Sequence, residues 1–273
     1  MPDRLRTSTD RWPLSRVRTA YRVITRAAAA GRLAIVDRGW FGCTPLERHV
    51  VICGFPRSGS TLLALMIQCC VDEAYCYDGE VAALIAARTA GRNHRFLVSK
   101  RPKDIFELDA IREHYQHRPA RAVFVITLRD PRAVLTSRHA VRPGYYVSVK
   151  RWRSIWERLR TLDTSAGDTL VVRSETLVQQ CRDVQESLRG LVGWTSRYDF
   201  QDFWNHVPAS FTAVSLNGVR PLDPGTIDKW REPQHAERIR SLLDKEFPEL
   251  CDRLVELGYE NDDRWAERYR TQE

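Results

Sequence analysis

Two short segments carry the residue types that grip anions. The first is Gly54-Phe55-Pro56-Arg57-Ser58-Gly59-Ser60-Thr61, set between an apolar run, Val50 to Cys53, and a helical pattern from Ser60 to Cys70. Glycines let a backbone wrap an anion, and the free N–H groups and dipole at a helix start favour negative charge. Arg57 adds a cation inside the loop, while Ser58, Ser60 and Thr61 add hydroxyls. In the loop of nucleoside triphosphatases, G-x-x-x-x-G-K-[ST], a lysine precedes the metal-binding hydroxyl. Here Ser60 stands in the place of that lysine, and the apolar run Ala122 to Leu128 ends in Arg129 rather than in an acidic residue. ATP or GTP hydrolysis therefore lacks its usual apparatus.

The second segment is Leu128-Arg129-Asp130-Pro131-Arg132-Ala133-Val134-Leu135-Thr136-Ser137-Arg138-His139. Arg129 leaves the C-terminal end of a strand, where open α/β sheets bind ligands. Ser137 follows eight residues later, about two turns along the helix that Asp130-Pro131 opens. One guanidinium fork and one hydroxyl can then hold a second phosphate.

The elements that must position these groups alternate. Expected strands at Val50–Cys53, Phe96–Ser99, Ala122–Leu128 and Thr169–Val172 are separated by helical patterns, the last from about Thr176. The near-continuous apolar run at Ala122–Leu128 marks a strand covered on both faces. This order predicts an α/β, three-layer, P-loop-like fold with a central parallel sheet flanked by helices. The expected division is a basic, partly helical extension over 1–49 and an α/β domain over 50–273.

Composition bounds the rest. The 273 residues are 43% hydrophobic and 29% charged, enough for a real core and against disorder. Net charge is +8, from 43 Lys and Arg against 35 Asp and Glu. Ten arginines and four acidic residues fall within residues 1–50, so that part alone carries +6. Leu14, Val17, Tyr21, Ile24 and Ala28 recur at helical spacing, with Arg18, Arg22 and Arg26 on other faces. Such a basic amphipathic helix suits peripheral contact with an anionic membrane or an acidic substrate, or it packs on the main domain with its arginines in water. No apolar run is long enough to span a bilayer, and scattered arginines interrupt any secretory signal. Seven cysteines with no C-x-x-C pair suggest neither a zinc site nor a disulfide framework, and a reducing cytoplasm is the expected home.

Taken together, GFPRSGSTLL and, about seventy residues on, LRDPRAVLTSRH resemble the sulfotransferases that use 3′-phosphoadenosine 5′-phosphosulfate (PAPS). Ser99-Lys100-Arg101-Pro102 is similar to that family's basic turn, and Val172-Arg173-Ser174-Glu175-Thr176-Leu177 to its V-R-Y-E-x-L, with Ser174 in place of the aromatic. Ser215-Leu216-Asn217-Gly218 through Asp228-Lys229-Trp230 resembles the late segment that closes over the nucleotide, without its G-x-x-G-x-x-K pattern. The resemblance implies transfer of a sulfuryl group from PAPS to a hydroxyl or amine, leaving adenosine 3′,5′-bisphosphate (PAP), with no metal. It assigns the donor to Arg57, Ser58, Gly59, Ser60, Thr61, Arg129, Ser137, Ser215, Lys229 and Trp230. Arg57 in the loop is similar to the tyrosylprotein and bacterial glycan branches, whose base is often a Glu after the first helix. Glu80 is therefore the candidate base, with Arg57 and Lys229 as the cations of catalysis and His94 and His139 as alternative bases.

The expected acceptor is a small molecule, glycan, lipid or peptide, not a nucleic acid. Trp152, Trp156, Trp194 and Trp204 could stack on a sugar or phenol, although core packing suits their spacing better. A P-loop kinase acting on a small molecule and a non-catalytic binder of PAP or anionic glycans are the competing readings.

Overall fold

Val50, Val51, Ile52 and Cys53 expose no surface at all, because their strand lies inside a sheet covered on both faces. A computed structural model describes residues 31, 35–89, 93–139, 143–208 and 218–270. The basic helix expected within 11–30, and Ser215 to Asn217 of the late segment, lie outside the described residues.

The chain runs β1 (Arg48–Gly54), α1 (Ser60–Cys70), β2 (Ala74–Cys76), α2 (Ala83–Ala87) and β3 (Phe96–Lys100). It continues through α3 (Leu108–Tyr115), β4 (Arg121–Leu128), α4 (Pro131–Leu135), α5 (Val149–Arg160) and β5 (Thr169–Arg173). Helices α6 (Ser174–Gln179), α7 (Cys181–Val192), α8 (Ala236–Ser241) and α9 (Leu250–Glu256) complete it. The five strands form one sheet in the order β2-β3-β1-β4-β5, with every pair parallel. It is the α/β architecture of a central parallel sheet between helical layers that the alternating pattern predicts.

Successive residues of a strand point to opposite faces, and here both faces are apolar. Val51, Cys53, Phe124 and Ile126 join one core with Trp152 and Ile155 of α5 and Ile111 of α3. Val50, Ile52, Val123 and Val125 join the other, with Leu63 and Met66 of α1 and Val184 and Leu188 of α7. Two-sided burial explains why the central strands read as apolar runs instead of alternating with polar residues. The expected core role holds for Trp152, Trp156 and Trp194, which are buried, whereas Trp204 is 39% exposed.

Two local expectations need correction. The edge strand β2 has no counterpart among the expected strands, since it is only three residues long and half-buried. The helix after Asp130 stops at Leu135, where the Thr136 hydroxyl turns back to the Arg132 carbonyl at 2.7 Å, so Ser137 lies beyond it in a loop. No helix among the described residues is long and apolar enough to cross a membrane. The described cysteines are free, and burial pushes the Cys69 thiol up to about 11, which leaves it an inert hydrophobe at neutral pH.

Candidate active site

The anion loop is built by a close approach of two strands. Gly54 pairs with Thr127 in register, and a Cβ at position 54 would sit 2.5 Å from the Thr127 carbonyl oxygen. Only glycine fits there, at φ 117°. Thr127 also braces the loop from below, for its hydroxyl donates to the Cys53 carbonyl at 3.1 Å and lies 2.6 Å from Ser58 Oγ. The Ser58 hydroxyl is thus turned into the protein, 1% exposed, and its main chain is what remains to meet a ligand. In α1 the first i→i−4 bond runs from Leu63 N to the Gly59 carbonyl at 2.9 Å. The N–H groups of Ser60, Thr61 and Leu62 precede it, and these are the donors a helix start leaves for an anion.

Arg57 takes the left-handed backbone conformation, φ 65°, which is unfavourable by about 1–2 kcal/mol for a residue with a side chain. Two contacts hold it there. Its carbonyl accepts from Arg129 Nη1 at 3.0 Å, and its Nε donates to Ser137 Oγ at 3.0 Å. Its guanidinium also lies 5.7 Å from the ring centre of Tyr146. The two segments singled out in the sequence, 72 and 80 residues apart at these contacts, therefore meet directly.

Between them opens a cleft of about 290 Å³ at the C-terminal edge of β1 and β4. Arg57, Arg129, Ser137, Arg138, Lys229 and Trp230 line it, together with Gln234 and His235, and among the described residues no carboxylate does. Four cations around a small volume repel one another unless an anion joins them. Burial pushes the Arg129 guanidinium below its usual range; Glu175 opposes that shift and Arg57 adds to it. A phosphate beside Arg129 would relieve the cost of its burial. Burial likewise lowers the pKa of His235, with Glu232 acting the other way and Arg138 adding to it.

A second group sits across α1. Lys100, at the end of β3, is buried with its side chain 8% exposed. Its Nζ reaches Thr61 Oγ1 at 3.2 Å and Glu80 Oε1 at 3.7 Å. Desolvation is the largest influence on Lys100 and lowers its pKa, with Glu80 acting the other way. Glu80 does not line the cleft; it reaches the helix start through Lys100 and Thr61. Lys100, like Arg138 and His235 in the cleft wall, was not placed in the site by sequence reasoning. The available signal was a rare lysine, one of five, at the C-terminal end of a parallel strand.

The remaining candidates separate cleanly. His94 stacks on Tyr75 with ring centres 5.2 Å apart, and His139 packs on Tyr146 at 4.5 Å. Trp230 borders the cleft, but its ring is 2% exposed and covers the Arg132 guanidinium at 3.8 Å. Arg132 itself is a tie within the fold, bonded to Asp130 at 2.7 Å and to Glu260 at 2.6 Å. Glu175 steadies the same corner, accepting from Asp130 N at 3.0 Å and from the Tyr259 hydroxyl at 3.1 Å. Beyond the loop, a mostly apolar cavity of about 120 Å³ is lined by Leu62, Val178, Phe203, Val219, Pro221 and Leu222, among others. Arg220 and Asp223 stand at the same cavity.

No protein-family model matches the sequence, and neither does any curated protein. Solved structures do match by fold. The sulfotransferase domain of the olefin synthase of Synechococcus PCC 7002 superposes with a TM-score of 0.50 at 18% identity, over 69% of this chain and 89% of that one. The sulfotransferase domain from the curacin biosynthetic pathway gives a TM-score of 0.52 at 16% identity, over 79% and 99%. A mouse sulfotransferase, SULT7A1, solved with PAP, is more distant at a TM-score of 0.41 and 10% identity, over 79% and 89%. The chain thus has the fold of sulfotransferase domains.

Proposed function

We propose that this protein transfers a sulfuryl group from PAPS to a hydroxyl or amine. The observation that carries the reading is the Arg129–Arg57–Ser137 chain of contacts in a cleft lined by cations, with no carboxylate among its described lining residues. In this reading Arg129 and Ser137 take the 3′-phosphate. The α1 N–H groups and Arg57 take the 5′-phosphate and the sulfuryl group. The adenine enters the apolar cavity beside Leu62, where Val178 and Phe203 supply the flat packing that the aromatic replaced by Ser174 would otherwise give.

The chemistry needs a base, an in-line path and charge stabilisation. Glu80 takes the proton of the acceptor as its oxygen or nitrogen attacks sulfur. The bond from sulfur to the phosphate oxygen breaks, and PAP leaves with the electron pair. Arg57, Lys100 and the loop N–H groups offset the negative charge that grows on that oxygen. Lys229 adds a cation from the far wall of the cleft.

Incubation with PAPS carrying radioactive sulfur, against panels of phenols, glycans, lipids and peptides, tests the reading. The expected result is label transferred to at least one panel together with release of PAP. Tight PAP binding with no transfer to any panel would leave a non-catalytic binder, and preference for magnesium-ATP over PAPS would leave a kinase.

A further inference from the structure

The end of the sheet opposite the cleft carries an aromatic display that the reaction does not use. Trp40 is 57% exposed and Phe41 is 89% exposed, at neighbouring positions of one tight turn. The turn is a built feature. Gly39 N donates to the Val36 carbonyl at 3.1 Å, and Cys43 N to the Trp40 carbonyl at 3.2 Å. Gly39 has φ 70°, and a Cβ there would lie 2.9 Å from Pro45 Cδ, so the turn closes only with glycine at that position. Phe41 also takes a left-handed conformation, φ 55°, which is costly for a bulky residue. At the base of the turn, buried Asp37 pairs with Arg118 Nη1 at 2.9 Å and fastens it just before β4. Backbone strain is being used to hold two large apolar side chains in solvent.

We infer that this turn, with the arginines around it at this end of the sheet, binds the surface of an anionic phospholipid membrane. Trp and Phe beside cations are the side chains that settle at a lipid–water boundary, rings inward, with the Trp N–H and the cations toward the headgroups. Arg38 lies 5.9 Å from the Trp40 ring centre, a cation placed at the root of the wedge. Arg48 and Arg121 are register partners at the start of β1 and β4, on the same end of the sheet. The sequence adds seven arginines against two aspartates within residues 1–30, a charge that suits acidic headgroups. Free anions or an acidic polymer would use the charge but leave two exposed rings without a purpose.

The geometry also orients the molecule. The seven residues of β1 separate the two ends of the sheet by about 20 Å, so a membrane at the turn leaves the cleft open toward water. The inference does not depend on which reaction the cleft performs.

Co-sedimentation of the full chain with vesicles tests it. Phosphatidylcholine vesicles with and without phosphatidylglycerol are compared, and the W40S/F41S double variant is measured beside the wild type. Expected are binding only to the anionic vesicles, weakening at high salt, and a tenfold or greater loss of partition in the double variant at unchanged melting temperature. If the double variant melts early, Phe41→Ser alone, at the more exposed site, serves with a smaller expected loss. Equal partition of wild type and variant would reduce the interaction to charge and overturn the role of the turn. No binding of the wild type, or a wild-type dimer by light scattering that the variant converts to monomer, would overturn the membrane altogether.

Discussion

Lys100 and Glu80 form an unequal pair: their charges are 3.7 Å apart, yet the ammonium is buried and the carboxylate is half in water. The exposed partner can meet an acceptor, while the buried one is aimed through Thr61 at the helix start to which the proposed donor is assigned. One ion pair thus spans both sides of the proposed transfer.

This pair predicts an alkaline limit on activity. Burial depresses the Lys100 pKa below the ordinary lysine value of about 10.4, so its charge is lost earlier than usual as pH rises. The kcat/KM profile, which reports the free enzyme, should fall on its alkaline side below that value. Bound phosphates favour the charged form, so the kcat limb should lie higher. Lys100→Arg should push both limbs out of range, and Lys100→Met should cost roughly 10²–10³ in kcat, as loss of one transition-state donor does. The donor-free protein gives the stability sign. Its folded-state pKa lies below the unfolded one, so it should gain stability as pH rises from the folded toward the unfolded value. Profiles of Lys100→Met and wild type with the same limb would remove Lys100 from the chemistry.

The two phosphate positions should separate by mutation. Arg129→Ala is expected to weaken PAP by roughly ten- to hundredfold, the worth of a charged hydrogen bond. Adenosine 5′-phosphosulfate has no 3′-phosphate and should weaken little. Wild-type protein should also gain about 2.7 kcal/mol from PAP at a hundredfold excess over its dissociation constant, and less from ATP at the same concentration. Calorimetry and melting curves read both effects. Equal loss for the two ligands would mean that Arg129 only holds the Arg57 carbonyl.

Much of this site was legible because buried parallel strands write themselves as apolar runs. Val50 to Cys53 and Ala122 to Leu128 announce the two central strands, and glycine and proline mark where each one ends. The helix from Ser60 to Cys70 has the expected bounds. Lys100 was legible only as part of a basic turn, Ser99-Lys100-Arg101-Pro102, and not as a site residue. Its role depends on Thr61, 39 residues away, and on a burial that only the packed sheet supplies. Arg132 misleads in the opposite sense. It sits among the residues expected to bind phosphate in the sequence, but Trp230, Trp265 and two carboxylates enclose it in the fold.

That enclosure makes Arg132 a stability residue. Replacing it by leucine leaves Asp130, 4% exposed, without its cation. Breaking a buried pair by removing one partner costs about 3–5 kcal/mol, so urea unfolding of Arg132→Leu should show a loss in that range. Adding Asp130→Asn should recover part of it by removing the stranded charge. A loss below about 1 kcal/mol would place the pair among those that contribute little.

Glu80 should act in the chemical step and not in donor binding. It reaches the helix start only through Lys100, and none of the cleft-lining side chains is Glu80, so PAP has no direct contact to lose. Glu80→Gln keeps shape and hydrogen bonding while removing basicity. Turnover should fall by roughly 10²–10⁴, the usual contribution of a positioned base, with PAP affinity within a few-fold of wild type. Two outcomes distinguish the alternatives. A matched loss of PAP affinity would show that Glu80 serves to hold Lys100 in place, and near-normal turnover would return the base to His94 or His139. The second outcome has a structural obstacle, because both imidazoles are already packed face to face or tilted against tyrosines and would have to leave those rings to reach an acceptor.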